Sequence, residues 1–410
     1  MNPIYNLAIR LMGLGINAGA CRNDKLKKLA AGEKSALSYL RSNIRPGESY
    51  VWIHAASLGE FEQGRPLIER IRREHPEKKI LLTFFSPSGY EVRKNFPQVD
   101  LVSYLPFDLK NRVKEFLDIV NPCMAIFVKY EFWGNYLSEL KRRSIPTYII
   151  SAIFRPSQIF FKPWGGMFRK MLQCYTHIYV QDERSKQLLA GIGIDKVTVA
   201  GDTRFDRVTD IMASCKKIPE IEKFIDKDKL TLVAGSTWQP DEAHIIPYFN
   251  SHPEMKLIIA PHEVDETRVS EITSQLKRPY VRMSKTTPEE AAKADCIIID
   301  CFGILSSAYT YGDIAYIGGG FGVGIHNLNE AAVYGIPVIF GPNHKKFKEA
   351  SDLISNGGGT SFSDNTEFNN IMDRFINDEK ALKTAGKAAG DYIKSNIGAS
   401  DIIFNNLFGA

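Results

Sequence analysis

The sequence predicts an α/β protein built from two Rossmann-like domains, and three features carry that expectation. Its 410 residues exceed the roughly 100 to 200 of a single domain. Short, continuously apolar β-rich runs alternate with amphipathic helical patterns, as parallel strands covered on both faces by helices do. The alternation also loosens once, through a charged stretch after Asp206, and then resumes, as it would between two domains.

In chain order, residues 4–20 open the sequence with Ile4, Leu7, Ala8, Leu11, Leu14 and Gly15 at helical spacing, interrupted by Asn6, Arg10 and Asn17. This run falls short of the roughly 20 apolar residues of a spanning helix. It reads either as a helix resting in a membrane interface or as a helix packed on its own domain. Ala18-Gly19-Ala20-Cys21 resembles a cleavage site, but the basic Lys25, Lys27 and Lys28 follow it instead of preceding it, which argues against export. Strands are then expected at residues 50–54, 79–84, 101–104, 124–128, 147–151, 177–181 and 196–200. Amphipathic helical patterns such as 60–73 and 109–120 lie between them. The expected domains are a helical segment at 1–45, a first Rossmann-like domain at 46–205, a linker at 206–228 and a second Rossmann-like domain at 229–410. Strands of the second domain are expected at 230–234, 256–260, 280–283, 295–300, 314–318 and 337–340. A helical pattern over 382–408 either finishes the second domain or crosses back to the first. A cleft between two such domains is the natural active site.

Composition narrows the function. With 44% hydrophobic, 24% charged and 11% aromatic residues the chain is neither disordered nor, at a mean hydropathy of −0.19, a polytopic membrane protein. A net charge of +5 is too small for a dedicated nucleic-acid binder. The six cysteines form no CxxC pair and read as reduced, mostly buried thiols of a cytoplasmic protein. The eight histidines show no HxxxH or HExxH spacing, so no metal site is expected.

Four clusters follow expected strands, where open α/β domains bind ligands. In His54-Ala55-Ala56-Ser57-Leu58-Gly59-Glu60, Glu60 opens a helix. It is either a general base for an acceptor hydroxyl or a carboxylate complementing the helix dipole. In Lys129-Tyr130-Glu131-Phe132-Trp133, Glu131 and Trp133 either position a sugar or are a surface acid beside a core indole. Ala234-Gly235-Ser236-Thr237 precedes the helix holding Glu242. It suits a phosphate or carboxylate, or is an ordinary capped turn. Gly318-Gly319-Gly320-Phe321-Gly322-Val323-Gly324 misses the dinucleotide fingerprint, which disfavours a dehydrogenase. Its glycines let backbone approach a ligand just before His326-Asn327-Leu328-Asn329-Glu330, where Glu330 could accept from ribose hydroxyls; a plain flexible loop is the other reading.

Taken together and in order, HAASLGEFEQGRPLIERI, TFFSPSGYE, YLPFDLK, YEFWGNYL, VAGDTRFD, AGSTWQPDEA, DCFGILSSAYTYGDIAYIGGGF and HNLNEAAVYGIPVIFGPNHKKF resemble the 3-deoxy-D-manno-octulosonic acid (Kdo) transferases, over about residues 50–350. The resemblance implies an inverting GT-B glycosyltransferase that needs no metal or other cofactor and uses CMP-Kdo as donor and a lipid A precursor as acceptor. Glu60 matches the catalytic base. Ser57, Gly59, Lys129, Glu131 and Arg155 fall on the acceptor side. Ser236, Thr237, Glu242, Pro261, His262, Gly303, Gly319, Gly320, His326, Asn327 and Glu330 fall on the donor side.

The chain departs from the family at several points. Pro261-His262-Glu263 puts a histidine where the family carries a phosphate-binding arginine, which leaves His262, Arg268 or Lys345 to supply the cation. Ile304 after Gly303 replaces a glutamate, and Lys129 replaces the first acid of the acidic-x-Glu-x-Trp block. A lipid-linked acceptor further implies the cytoplasmic face of the inner membrane. There Arg10, Lys25, Lys27, Lys28, Arg155, Lys162, Arg169 and Lys170 would dock the first domain, with Phe154, Phe160, Phe161, Trp164 and Phe168 in lipid contact. The competing readings are a transferase or epimerase of another sugar nucleotide, and a non-catalytic nucleotide-binding homologue.

Overall fold

The computed structural model describes residues 3–213 and 215–409, which divide into two compact units. The first runs through Arg207 and takes back Ile397 onward; the second is Val208–Asn396. Helix α1 (Pro3–Gly19) and α2 (Asp24–Asn43) lead into the first sheet. Its strands are β1 (Tyr50–Ala55), β2 (Lys79–Phe84), β3 (Leu101–Tyr104), β4 (Pro122–Val128), β5 (Thr147–Ala152), β6 (His177–Val180) and β7 (Val197–Val199). They lie in the order β3-β2-β1-β4-β5-β6-β7, every neighbour parallel. Strand β1, Tyr-Val-Trp-Ile-His-Ala, is buried throughout because α helices cover both faces of the sheet, which is why it reads as a continuous run without alternation.

The second sheet contains β8 (Leu230–Thr237), β9 (Met255–Pro261), β10 (Tyr280–Arg282), β11 (Cys296–Ile298), β12 (Ile314–Ile317), β13 (Val338–Phe340) and β14 (Gly359–Ser361). Their order is β10-β11-β9-β8-β12-β13-β14, again all parallel. In the second sheet β11 is inserted between β9 and β10; the strand order reverses between β1 and β4 in the first sheet and between β8 and β12 in the second. The loops leaving those strands diverge to opposite faces there and open a crevice at the carboxyl ends.

Several expectations need correcting. The expected linker at 206–228 is structured: it holds most of helix Arg204–Ala213, all of helix Pro219–Phe224, and buries Ile218, Ile221 and Phe224. The C-terminal helical pattern breaks at Gly398, whose φ of 104° stops helix Glu379–Asn396 and starts helix Ala399–Phe408 in the first unit. Ile403 and Phe404 bury there, and Arg70 stacks over Phe404. The short strand β14 carries Gly359, Thr360 and Ser361 in place of an apolar run, so it gave no signal. All six cysteines are free, but only Cys296 is buried. Phe154, Phe160, Phe161 and Phe168 form a mutually packed ring cluster with Phe132 on the first core. They are therefore core side chains, and only Trp164, 71% exposed, projects outward. Arg169 donates to the carbonyls of Phe160 and Lys162, so it closes that loop on itself.

Candidate functional site

In the first unit the reversal point falls between the loops that leave β1 and β4, and those loops carry two of the four expected clusters. Extended backbone at Ser57 (φ −140°) ends the β1 loop and α3 (Leu58–Glu74) begins, which puts Glu60 in the first helical turn. The Ser57 hydroxyl donates to the Glu60 carboxylate. Among the described residues Glu60 forms no ion pair, so one oxygen stays open for a proton. Lys129 leaves β4 in the left-handed region (φ 69°), and Ser151 (φ 51°) and Ser236 (φ 54°), each one residue before the end of its strand, β5 and β8, share it. Non-glycine residues held there cost about 1–3 kcal/mol each, and such strain gathers at functional sites.

Glu131 is buried, and its Oε2 accepts from the Trp133 indole at 2.5 Å and lies 2.9 Å from His54 Nε2. His54 Nδ1 lies 2.9 Å from the Thr83 hydroxyl, which itself accepts from the Trp52 indole at 2.8 Å. Nδ1 also lies 3.1 Å from the Thr83 carbonyl oxygen, and on its other side His54 is hydrogen-bonded through Nε2 to Glu131. Glu131 thus forms the floor under the β4 loop, its Oε2 already engaged by two protein donors.

Around the mouth lie exposed Arg155, half-buried Arg204, and Asp202. Burial alone would raise the Asp202 carboxyl, but the charge and hydrogen bonds of Arg204 outweigh it and hold it below the usual carboxylate range. The hydroxyl of Tyr130 is pushed up chiefly by burial, with smaller opposing pulls from the charges of Arg155, Glu60, Arg204 and Asp202. Asp202 and Arg204 were not singled out from sequence; their position directly after β7, inside the VAGDTRFD block, was the available signal.

In the second unit the reversal point falls between β8 and β12. Expected phosphate ligands prove partly committed. Thr237 is buried and donates to Glu242 at 2.7 Å. Glu242, 1% exposed, also pairs with Arg268, 4% exposed. Burial raises the Glu242 carboxyl against the pull of Thr237 and Arg268. Arg268 is consequently locked inside the domain, which corrects the expectation that it could replace the missing donor-site arginine. His262 is exposed and stacks on the Trp238 ring at 4.7 Å and on the His326 ring at 4.6 Å, the last two themselves meeting through Trp238 Nε1 and His326 Nε2 at 3.5 Å. Lys345 is exposed in the loop after β13, whose Asn343 bonds to Gly320 and Gly322.

The glycines are required by packing. A Cβ on Gly318 would lie 2.1 Å from the Ser236 carbonyl oxygen, and one on Gly320 2.5 Å from the Gly341 nitrogen. Gly319 has φ 90° and donates to Asp241, a buried carboxylate that also accepts from Tyr316 and from the Trp238 amide. The glycine turn is therefore fastened to the helix Gln239–Ser251. Asp241 was missed, although Trp238-Gln-Pro-Asp is a readable helix start with its acid at the third position. Gly303 (φ 88°) has open space around it. Glu330 accepts from Ser306 and Asn327, both at 2.9 Å, in a helix of a single turn, Asn329–Ala332. Pro261 ends β9 and Gly59 lies exposed in the first turn of α3.

The His326 ring is held neutral: burial lowers its pKa from the ordinary 6.5, and neighbouring His262 lowers it further. A base whose folded-state pKa is depressed contributes stability above its unfolded value and loses it as pH falls through the folded one. The midpoint of thermal unfolding is therefore expected to fall with acidification from about pH 7 to about pH 5, and His326→Gln to flatten that slope. Calorimetry across this range checks it; an unchanged slope in the variant refutes the assignment.

A family model described as 3-deoxy-D-manno-octulosonic-acid transferase (kdotransferase) matches residues 28–207, which include the whole β1 and β4 site. The 3-deoxy-D-manno-octulosonic acid transferase of Aquifex aeolicus is 28% identical over 356 residues, covering 85% of this chain and 92% of that protein. The protein of the same name from Haemophilus influenzae is 26% identical, covering 86% and 85%.

Residues 28–207 match the Kdo transferase family, and the relatives named resemble the chain over most of its length.

Solved structures agree on the fold. The UDP-GlcNAc 2-epimerase of Neisseria meningitidis superposes with a TM-score of 0.60 at 16% identity over 88% of this chain and all of that one. A glycosyltransferase from Rickettsia africae gives 0.53 at 12%, covering 88% and 97%. At such identities the likeness concerns architecture, and it identifies the fold as GT-B. Among the described residues no helix is long and apolar enough to cross a membrane.

Proposed function

We propose that this protein transfers Kdo from CMP-Kdo to a lipid A precursor during lipopolysaccharide synthesis, with inversion, without a metal ion, and with Glu60 as general base. The observation that carries the reading is the state of the carboxylates at the strand ends. Glu131, Asp202, Glu242 and Glu330 are each bound by protein donors or cations, whereas among the described residues Glu60 is bonded by Ser57 and forms no ion pair. A base must have a free lone pair within reach of the proton it takes. Exposed Arg155, in the loop after β5, suits a phosphate of a lipid-linked acceptor. Attack of the acceptor hydroxyl on the anomeric carbon forms the new C–O bond as the bond to the cytidylate oxygen breaks. The hydroxyl proton passes to Glu60, and CMP leaves with the bonding electrons. The leaving group is a nucleoside monophosphate, stable enough to depart with the bonding electrons.

Mass spectrometry of the product from CMP-Kdo and a defined lipid A precursor tests this directly. One or more added Kdo masses with matching CMP release support it; absence of both from a folded, CMP-binding protein overturns it.

The same reading places the chain against the cytoplasmic face of the inner membrane. Helix α1 presents Ile4, Leu7, Leu11 and Leu14 outward in one exposed stripe, with Arg10, Lys110 and Arg112 lining the depression beside it. Apolar side chains flanked by cations match acyl chains under anionic headgroups. The Leu7→Asp/Leu11→Asp variant is expected to lose flotation with anionic phospholipid vesicles at least tenfold. Undiminished flotation would remove α1 as the docking element.

A further inference from the structure

We infer that Tyr5 is a positioning residue that couples docking of α1 on a lipid surface to the β4 loop of the site. The inference rests on the lipid-surface reading above and extends it to the state of the loop.

The two faces of α1 do different things. Its outward stripe is 57–72% exposed, while Ile9 and Gly13 face inward, Gly13 close to the Phe107 ring. From the same helix the Tyr5 hydroxyl donates to Asp108 Oδ2 at 2.5 Å and accepts from the Gly134 amide at 2.9 Å. Asn6 accepts from the Asn135 side chain at 2.8 Å. Asp108 in turn accepts from the amides of Asn135 and Tyr136 at 2.9 and 2.8 Å. Helix Gly134–Arg142 has no side-chain cap from Trp133, so Tyr5 and Asp108 between them satisfy its first three orphan amides. Burial, and then the Asp108 charge, push the Tyr5 hydroxyl far up, so it stays protonated and keeps donating.

The helix start that Tyr5 holds is the end of the β4 loop. One residue before Gly134, the Trp133 indole donates to Glu131, and Glu131 joins His54 on β1. Three residues beyond His54 lies Ser57, the hydrogen-bond partner of Glu60. A continuous series of hydrogen bonds and short backbone links thus joins a surface helix to the proposed base. In water α1 is held mainly by these polar contacts and a small apolar seam; lipid contact on its outward stripe adds free energy only to the seated position. The ligand that binds one state of an element better shifts its population toward that state.

Hydrogen–deuterium exchange of the full chain, with and without vesicles of mixed zwitterionic and anionic phospholipid, reads this without relying on turnover. Vesicles are expected to slow exchange of the segment 130–136 at least threefold in the unaltered protein. Tyr5→Phe, which removes one hydroxyl and keeps the ring, should still float with the vesicles but show no slowing there. Unchanged exchange in the unaltered protein, or the same slowing in the variant, overturns the coupling, as does failure of the unaltered protein to float. A parallel transfer assay with a water-soluble, deacylated acceptor should show vesicles raising kcat severalfold in the unaltered protein but not in Tyr5→Phe. Loss of transfer under every condition would instead count against the Kdo reading, while the exchange result still decides the coupling.

Discussion

Glu60→Gln is expected to lower kcat for Kdo transfer by about 10²- to 10⁴-fold, the usual contribution of a positioned general base. The amide keeps the size of the carboxylate and can still accept from Ser57, so the loop after β1 is expected to keep its shape. What it cannot do is take a proton from the acceptor hydroxyl. The stability cost is small, because the lost charge lies in the partly exposed first turn of α3, where its interaction with the helix N-terminus is worth about 0.3–1 kcal/mol. The KM for donor should change little. Stopped assays of CMP release, with circular dichroism to confirm folding, decide it: a variant within tenfold of the unaltered rate removes Glu60 from the chemistry.

Arg268→Met is expected to cost about 3–5 kcal/mol of stability, the largest effect of any single change considered. The guanidinium is almost wholly buried against Glu242, and the only other donor to that carboxylate shown is Thr237. Removing the cation leaves an acid in a dry site whose burial already raises its pKa. The carboxyl then takes up a proton to stay folded, so the variant should be more stable in mild acid than at pH 8. The sign follows from a folded-state pKa above the unfolded one, whose contribution is present at low pH and lost as pH rises. Glu242→Leu/Arg268→Met should regain most of the loss, since a well-packed apolar pair often replaces a buried ion pair at little cost. Urea denaturation at two pH values measures both effects; a single variant within 1 kcal/mol of the unaltered protein would refute the buried-pair argument. Trp238 follows Thr237, so the ring stack with His262 and His326 is expected to loosen in the single variant as well.

The clusters after β1, β4, β8 and β12 were legible because parallel strands end in ligand-facing loops wherever the strand order reverses. Side-chain commitments were not legible in the same way. Arg268 looked available because a linear pattern does not show that Glu242, on a neighbouring helix, points at it. The aromatic run from Phe154 to Phe168 looked like a lipid-facing surface because its basic neighbours suggested one. In the fold those rings turn inward, and Arg169 spends its donors on local carbonyls. Glycines 318 to 320 signalled a close approach, but its partner turned out to be backbone at Ser236 and Gly341.

Apolar runs, their alternation with helices and the turn residues fixed the α/β class, nearly all the strands and the loops that bear chemistry, since these depend on local propensity and burial of whole faces. The folded chain alone decided which carboxylates are occupied, which cations are reachable and that Tyr5 grips the helix after β4. Those facts depend on contacts such as Tyr5 with Asp108 and His54 with Glu131, between residues far apart in sequence. A hydrogen bond forms or fails over a few tenths of an ångström, and sequence periodicity carries no distance that fine.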